Sequence, residues 1–195
     1  MDRSRPTILK APRAGERIQL LPPTFGRTMC RQSFFYEGGR EEEYVLWSYE
    51  KATGALILPL TTKREIVAVR QFRHGVNGFT IKFPGGVPAT ETDTAEDTGA
   101  KELLEETGYQ AKVVQDLGFQ GCLDPSSLNA RMSFLVGLEC EKVADPTPDP
   151  NEILETLVVP IGEWYEMILR REIIDSKTIA LSLVALPLLG VRLQF

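Results

Sequence analysis

Histidine is almost absent from this chain of 195 residues: His74 stands alone. A histidine-rich metal site and a Ser-His-Asp hydrolase are therefore poor readings. Cysteine is scarce as well. Cys30, Cys122 and Cys140 form an odd set without CxxC spacing, which argues against a disulfide scaffold or zinc ribbon and suits a reducing compartment; a cytoplasmic location is expected. Positive charge is in deficit, with 22 lysines and arginines against 27 acidic residues and a net charge of −5. No global cationic field is available to recruit a nucleic-acid backbone. Long apolar runs are missing too. Met1 to Lys10 is polar and lacks a signal-like apolar core, and the stretch Ile179 to Leu189 is short for a bilayer span and carries Pro187. A buried C-terminal helix fits that stretch, and no membrane partner is expected. What remains is a chain 43% hydrophobic and 25% charged, sized for one globular domain with a modest appendage.

Turn residues divide the chain. Pro22-Pro23 marks a seam between a loose N-terminal arm and the first strands. Strand-like runs follow at Ser33 to Tyr36 and Glu43 to Tyr49, around a Gly38-Gly39 turn, with a second turn at Lys51 to Gly54. Further strands are expected at Ala55 to Leu60, Glu65 to Phe72 and Phe79 to Phe83, the last closed by Pro84-Gly85-Gly86. Thr94-Ala-Glu-Asp97 has the outline of a capping box, and Gly108 ends the helix it begins. Gly99 inside that helix costs roughly 1 kcal/mol against alanine. Strands at Ala111 to Phe119, Met132 to Leu138 and Leu154 to Val159, then helices at Ile161 to Arg170 and Ser176 to Leu186, complete a mixed α+β sandwich. The expected division is 1–53, an arm and small antiparallel β segment, and 54–195, the main domain.

Three carboxylates draw attention. Glu102, Glu105 and Glu106 stand at i, i+3 and i+4, on one face of the central helix. They crowd its C-terminal turns, where the backbone dipole disfavours negative charge. An acidic run is ordinarily a solvated face; this one sits on the wrong end of its helix and follows a Gly-Gly turn through which backbone carbonyls can approach a metal. Oxygen donors without histidine suit Mg²⁺, or Mn²⁺, with substrate phosphates completing the shell.

The stretch Gly86 to Tyr109, GVPATETDTAEDTGAKELLEETGY, resembles the Nudix box, G-x5-E-x7-R-E-U-x-E-E-x-G-U with U apolar. Lys101 stands where the box has arginine, one extra residue follows Gly86, and Asp93 occupies the place of the early glutamate. Likeness continues outside the box. RQFRHGVNGFTIKFPGG, the Cys122-Leu-Asp-Pro125 loop, Asn151-Glu-Ile-Leu-Glu155 and IIDSKTIALSLVAL are similar to the ADP-ribose pyrophosphatase branch of that family. The branch commonly has glutamate where this chain has Lys82.

The resemblance implies an α/β/α Nudix sandwich that hydrolyses a nucleoside diphosphate linked to a second moiety, giving a nucleoside monophosphate and a phosphorylated product. A nucleoside diphosphate sugar, ADP-ribose first, is the expected substrate; GDP-mannose or a dinucleotide is the alternative, and a nucleotide-sensing module without turnover is a third reading. By position, Glu102, Glu106 and the Gly85 carbonyl would be metal ligands, Glu105 a further ligand or the group that orients water, and Lys101 their support. ADPTPDP, residues 144–150, is too rich in proline for regular structure and delivers Glu152 and Glu155 as candidates for a general base. Arg73 is a candidate phosphate contact, Lys82 a candidate substrate contact bearing on the group beyond the diphosphate, and Pro125 belongs to the loop expected beside substrate. Trp47 lies in an apolar strand where core packing is the default; the branch places an aromatic near here to stack on the base, often across a homodimer, the assembly expected.

Overall fold

The computed structural model describes residues 10–23, 27–49 and 53–192. The expected loose arm as far as residue 9, and residues 51–52 of the second turn, lie outside the described residues. The chain folds into two compact units. One comprises the residues before Thr53 together with Asp124–Asn129; the other comprises Thr53–Leu123 and the chain from Ala130 onward.

The first unit is a three-stranded antiparallel sheet, β1 (Arg13–Gln19), β2 (Arg27–Phe35) and β3 (Glu41–Tyr49), in that spatial order. Strand β1 was not legible as a strand, since RAGERIQ has neither alternation nor β-branched density. Its partner holds it: Gln32 Nε2 donates to the Gly15 carbonyl at 2.8 Å, and Arg17 Nη1 reaches Ser48 Oγ at 2.8 Å. A single tight turn, Glu37–Gly39, joins β2 to β3. The loop Asp124–Asn129 is stitched to β3. Trp47 N–H donates to the Ser127 carbonyl and Tyr49 N–H to Asn129 Oδ1, each at 2.8 Å.

The second unit is built on a mixed eight-stranded sheet. Its strands are β4 (Thr53–Thr61), β5 (Glu65–Arg73), β6 (Gly78–Lys82), β7 (Gly85–Gly86), β8 (Tyr109–Gln110), β9 (Val113–Cys122), β10 (Arg131–Lys142) and β11 (Leu154–Pro160). The order β11-β5-β4-β10-β8 forms the spine, with β6 on β5, β7 on β4 and β9 on β10. Only β4 and β10 run parallel.

Two-residue alternation sorts the apolar side chains to opposite faces. Leu56, Leu58 and Leu60 of β4, with Ile66 and Ala68 of β5, pack toward α2 (Ile161–Leu169) and α3 (Ser176–Leu188), around Trp164, Leu181 and Leu186. Ala55 and Ile57 face the other way, toward Leu103 of α1 (Ala95–Thr107), Leu135 and Cys140. Helices cover both faces, the α/β/α sandwich expected. At about 1.5–3 kcal/mol for each fully buried aliphatic side chain, these two clusters supply most of the stabilisation.

Helix α1 begins as its sequence suggests. Thr94 Oγ1 accepts from Asp97 N–H at 3.0 Å, and Asp97 Oδ2 accepts from Thr94 N–H at 3.0 Å. Gly99 has a packing role: a Cβ there would collide with Leu135 Cδ1. The helix gives up intrinsic propensity for close approach to the sheet. Helix α3 is capped by Asp175, which accepts from Thr178 N–H at 2.9 Å. Among the described residues no helix is long and apolar enough to cross a membrane, and the three cysteines are free.

Candidate active site

The α1 face of the sheet carries polar groups as well as apolar ones. Val67 and Val69 of β5 lie fully buried there, and the same alternation brings Gln71 and Arg73 to that face. Strand β6, paired Val69↔Lys82 and Gln71↔Thr80, adds Lys82 and Thr80. Phe83 turns to the opposite face and stacks on Trp164, with ring centroids 4.9 Å apart. Over this floor stand the carboxylates of the last turns of α1.

Lys82 and Glu106 form a buried ion pair. Lys82 Nζ donates to Glu106 Oε1 at 2.6 Å and to Oε2 at 3.0 Å, with side chains 2% and 3% exposed. Burial raises the Glu106 carboxyl above the usual range, while Lys82 and, more weakly, Arg73 pull it back. Glu102 is pushed up to about 7, first by burial and then by the charge of Glu106. Glu105 and Glu152 raise it further, and Lys82 opposes them. Glu102 backs onto the β7 turn, where a Cβ on Gly86 would collide with its Oε1. That contact explains why a glycine follows Gly85 here.

Glu152 joins from the far end of the chain. The 144–150 segment folds over the C-terminus of α1, and its Thr147 N–H satisfies the Glu105 carbonyl at 2.8 Å. Val143 and Ala144 donate to the Gly108 carbonyl, so helix-end acceptors otherwise left open are used to fix this loop. The segment then presents Glu152, whose Oε1 accepts from Gln71 Nε2 at 2.9 Å.

Several expected site residues stand elsewhere. Glu155 pairs with Arg70 in register and in an exposed ion pair at 3.0 Å. Two residues on from Leu157 in the same alternation, Val159 packs in the α2/α3 cluster, so Glu155 faces away from Glu106. As a general base it is on the wrong side of the sheet. Lys82, expected as a substrate contact, is 1% exposed and committed to Glu106. Glu106, expected as a metal ligand, has both oxygens on that ammonium. Lys101 reaches Glu105 at 3.6 Å on the exposed side of the helix and touches neither of the other two glutamates. Asp93 accepts from Thr90 N–H at 2.9 Å and serves a local turn.

Trp47 and Pro125 are brought together within the first unit, where both line a cavity of about 410 Å³ with Phe34, Tyr44 and Leu128. Trp47 is 43% exposed; it is not the core residue its strand suggested. A second cavity of about 770 Å³ on the same unit is shared by Trp47, Met29, Tyr49 and Leu128.

Gln71 escaped the sequence reading. The signal was present: an amide in the alternation Val67, Val69, Gln71, on a strand otherwise apolar on that face. Gln71 is 2% exposed, and its Oε1 is buried without a partner, as is Thr156 Oγ1.

Comparison with known proteins places the chain. The NUDIX domain family model matches residues 50–180. The GDP-mannose pyrophosphatase of Salmonella typhimurium is 30% identical over 142 residues, covering 68% of this chain and 73% of that protein. The GDP-mannose pyrophosphatase of Yersinia enterocolitica is 27% identical over 154 residues, covering 74% and 79%. In three dimensions, the crystal structure of an ADP compounds hydrolase superposes with a TM-score of 0.79 at 17% identity, covering 93% of this chain and 96% of that one. The chain belongs to the Nudix family.

Nudix hydrolases generally use divalent metal ions. Among the described residues no three His, Cys, Asp or Glu side chains are gathered as a metal site as they stand, and Lys82 occupies both oxygens of Glu106. The donor chemistry nevertheless fits a hard cation. Every donor is oxygen, and Glu102 is short of positive charge, as its raised pKa records. Of the expected donors, Glu102, Glu105 and the Gly85 carbonyl are those that Lys82 does not hydrogen-bond.

Proposed function

We propose that this protein is a metal-dependent Nudix pyrophosphatase that cleaves a nucleoside diphosphate sugar to a nucleoside monophosphate and a sugar phosphate. The reading is supported by one observation above all: the charges of Glu105, Glu106 and Glu152 all reach Glu102 at the end of α1, and Lys82 is the one internal ammonium that offsets them. Such a surplus of carboxylate favours a bound cation. A divalent ion there polarises phosphate oxygens and lowers the pKa of bound water. Arg73, exposed at the end of β5, offers a guanidinium fork to a phosphate. Glu152, held by Gln71, is the group placed to take a proton from water. The related enzymes named for GDP-mannose make GDP-mannose the first substrate to try, with ADP-ribose beside it. Trp47 and Pro125 line the surface we assign to the base, and the chain works as a cytoplasmic homodimer with Mg²⁺, Mn²⁺ substituting.

The deciding experiment incubates the protein and Mg²⁺ with GDP-mannose, ADP-ribose and dinucleotides, and identifies products by mass. Nucleoside monophosphate plus sugar phosphate is the expected result. Saturable binding of every compound without cleavage would make the protein a sensor instead.

A further inference from the structure

Lys82 is a buried cation that the proposed chemistry does not use. Its ammonium grips both oxygens of one carboxylate, at 2.6 and 3.0 Å, as a compact divalent ion does when a carboxylate chelates it. The surroundings hold it there. Strand β6 delivers the side chain from the floor of the site, and Phe83, the next residue, is locked against Trp164 on the other face. A surface lysine can swing into water to make way for an ion. Lys82, 1% exposed, would leave a buried charge unpaired by doing so.

Neighbouring carboxylates have other partners. Glu105 has Lys101, and Glu152 has Gln71. Glu102 remains without a hydrogen-bonded cation of its own, although the Lys82 charge reaches it. Two carboxylates of the α1 cluster thus have a lysine of the chain itself, Glu106 the buried one and Glu105 an exposed one, and Glu102 is open to an ion.

We infer that Lys82 is a resident cation standing in for a divalent ion at Glu106, so that the site takes up one divalent ion fewer than it would with an uncharged residue at position 82. The inference rests on the metal-dependent reading above. It concerns how many ions the site takes, not what the enzyme cleaves.

The test counts Mn²⁺ bound to the full chain, without nucleotide, from the electron paramagnetic resonance of the free ion during titration. Lys82→Met and Lys82→Gln should each bind one Mn²⁺ per chain more than the wild type. Glu106→Gln alone should keep the wild-type count, since no ion is held there. The double variant Lys82→Met/Glu106→Gln removes both buried charges and should return to the wild-type count. Equal counts in the wild type and both Lys82 variants would overturn the inference, as would loss of one ion on Glu106→Gln. Should the Lys82 single variants fail to fold, the Glu106→Gln arm decides. The count needs no turnover. A protein that hydrolyses nothing refutes the proposed function and leaves the count standing, whereas hydrolysis with unchanged counts refutes the resident cation alone.

Discussion

Gln71 Nε2 donates to Glu152 Oε1 at 2.9 Å, joining residues 81 positions apart in the chain. The amide is buried and the carboxylate half-buried, so the bond aims one oxygen of Glu152 and leaves the other available. Glu152→Gln should lower kcat by about 10²–10⁴-fold, the usual worth of a positioned base, with KM near the wild-type value. Gln71→Met should lower kcat by roughly tenfold through lost orientation. Glu155→Gln, on the opposite face, should change kcat less than about twofold, because it breaks only an exposed ion pair. Steady-state kinetics on the three variants check the assignment; a large loss in Glu155→Gln with none in Glu152→Gln would reverse it.

Glu102 sets a pH dependence of stability. Burial, and then the charge of Glu106, push its carboxyl up to about 7 from the ordinary 4.5, so between those values the folded chain holds a proton that the unfolded chain has released. Stability contributed by this group is present below about pH 4.5 and is lost as pH rises toward 7. Glu106 shifts in the same direction. Asp93, Asp97, Asp124 and Asp175, whose carboxyls are lowered from the ordinary 3.8, act below that pH and leave this window clear. With Glu102 only partly buried, an effect of about 2 kcal/mol is expected. Urea denaturation in EDTA should show lower stability at pH 8 than at pH 5.5, and Glu102→Gln should flatten the difference.

Gly99→Ala tests two opposed effects in one residue. Helix propensity favours alanine by about 1 kcal/mol, while a Cβ driven into Leu135 costs about 1–3 kcal/mol. Net destabilisation is expected, seen by calorimetry as a Tm lower by a few degrees. Leu135→Val in the same chain should recover part of it. A rise in Tm for Gly99→Ala alone would show that the helix has room to move off the sheet.

The three-stranded sheet of the first unit leaves Ile18, Val45 and Trp47 exposed, and a small sheet with open apolar positions favours a partner. Light scattering at micromolar concentration should give the mass of a dimer. Val45→Glu should shift the equilibrium toward monomer without altering the fold of the Nudix unit, as read by its circular dichroism.

Much of the fold was legible because its signals are local. The capping box at Thr94 and Asp97, the stop at Gly108 and the alternation in β4 and β5 depend on neighbours within a few residues. The two closing helices followed from the same kind of pattern. Strand β1 was missed because its pairing with β2, not its own composition, makes it a strand. Within the site, helical spacing set Glu102, Glu105 and Glu106 on about one helix face, and the charges of Glu106 and Glu105 do reach Glu102. The partner of Glu106 was hidden, since Lys82 is 24 residues away and meets it only when β6 slides beneath α1. Glu155 stood beside Glu152 as a second candidate base, and only the register with Arg70 reveals which side of the sheet it occupies.

The loop Asp124–Asn129 leaves the Nudix unit and returns through a pinch closed by Leu123 N–H on the Ala130 carbonyl at 3.2 Å. It bonds to Trp47, Ser48 and Tyr49 of β3. The linear order of the gene therefore does not coincide with the modules of the fold. A chain truncated to begin at Thr53 would retain six residues shaped by a strand it no longer has, and grafting the first 52 residues onto another Nudix unit would carry only part of the surface around Trp47. The transferable piece is discontinuous, and recombination at a single crossover cannot move it intact.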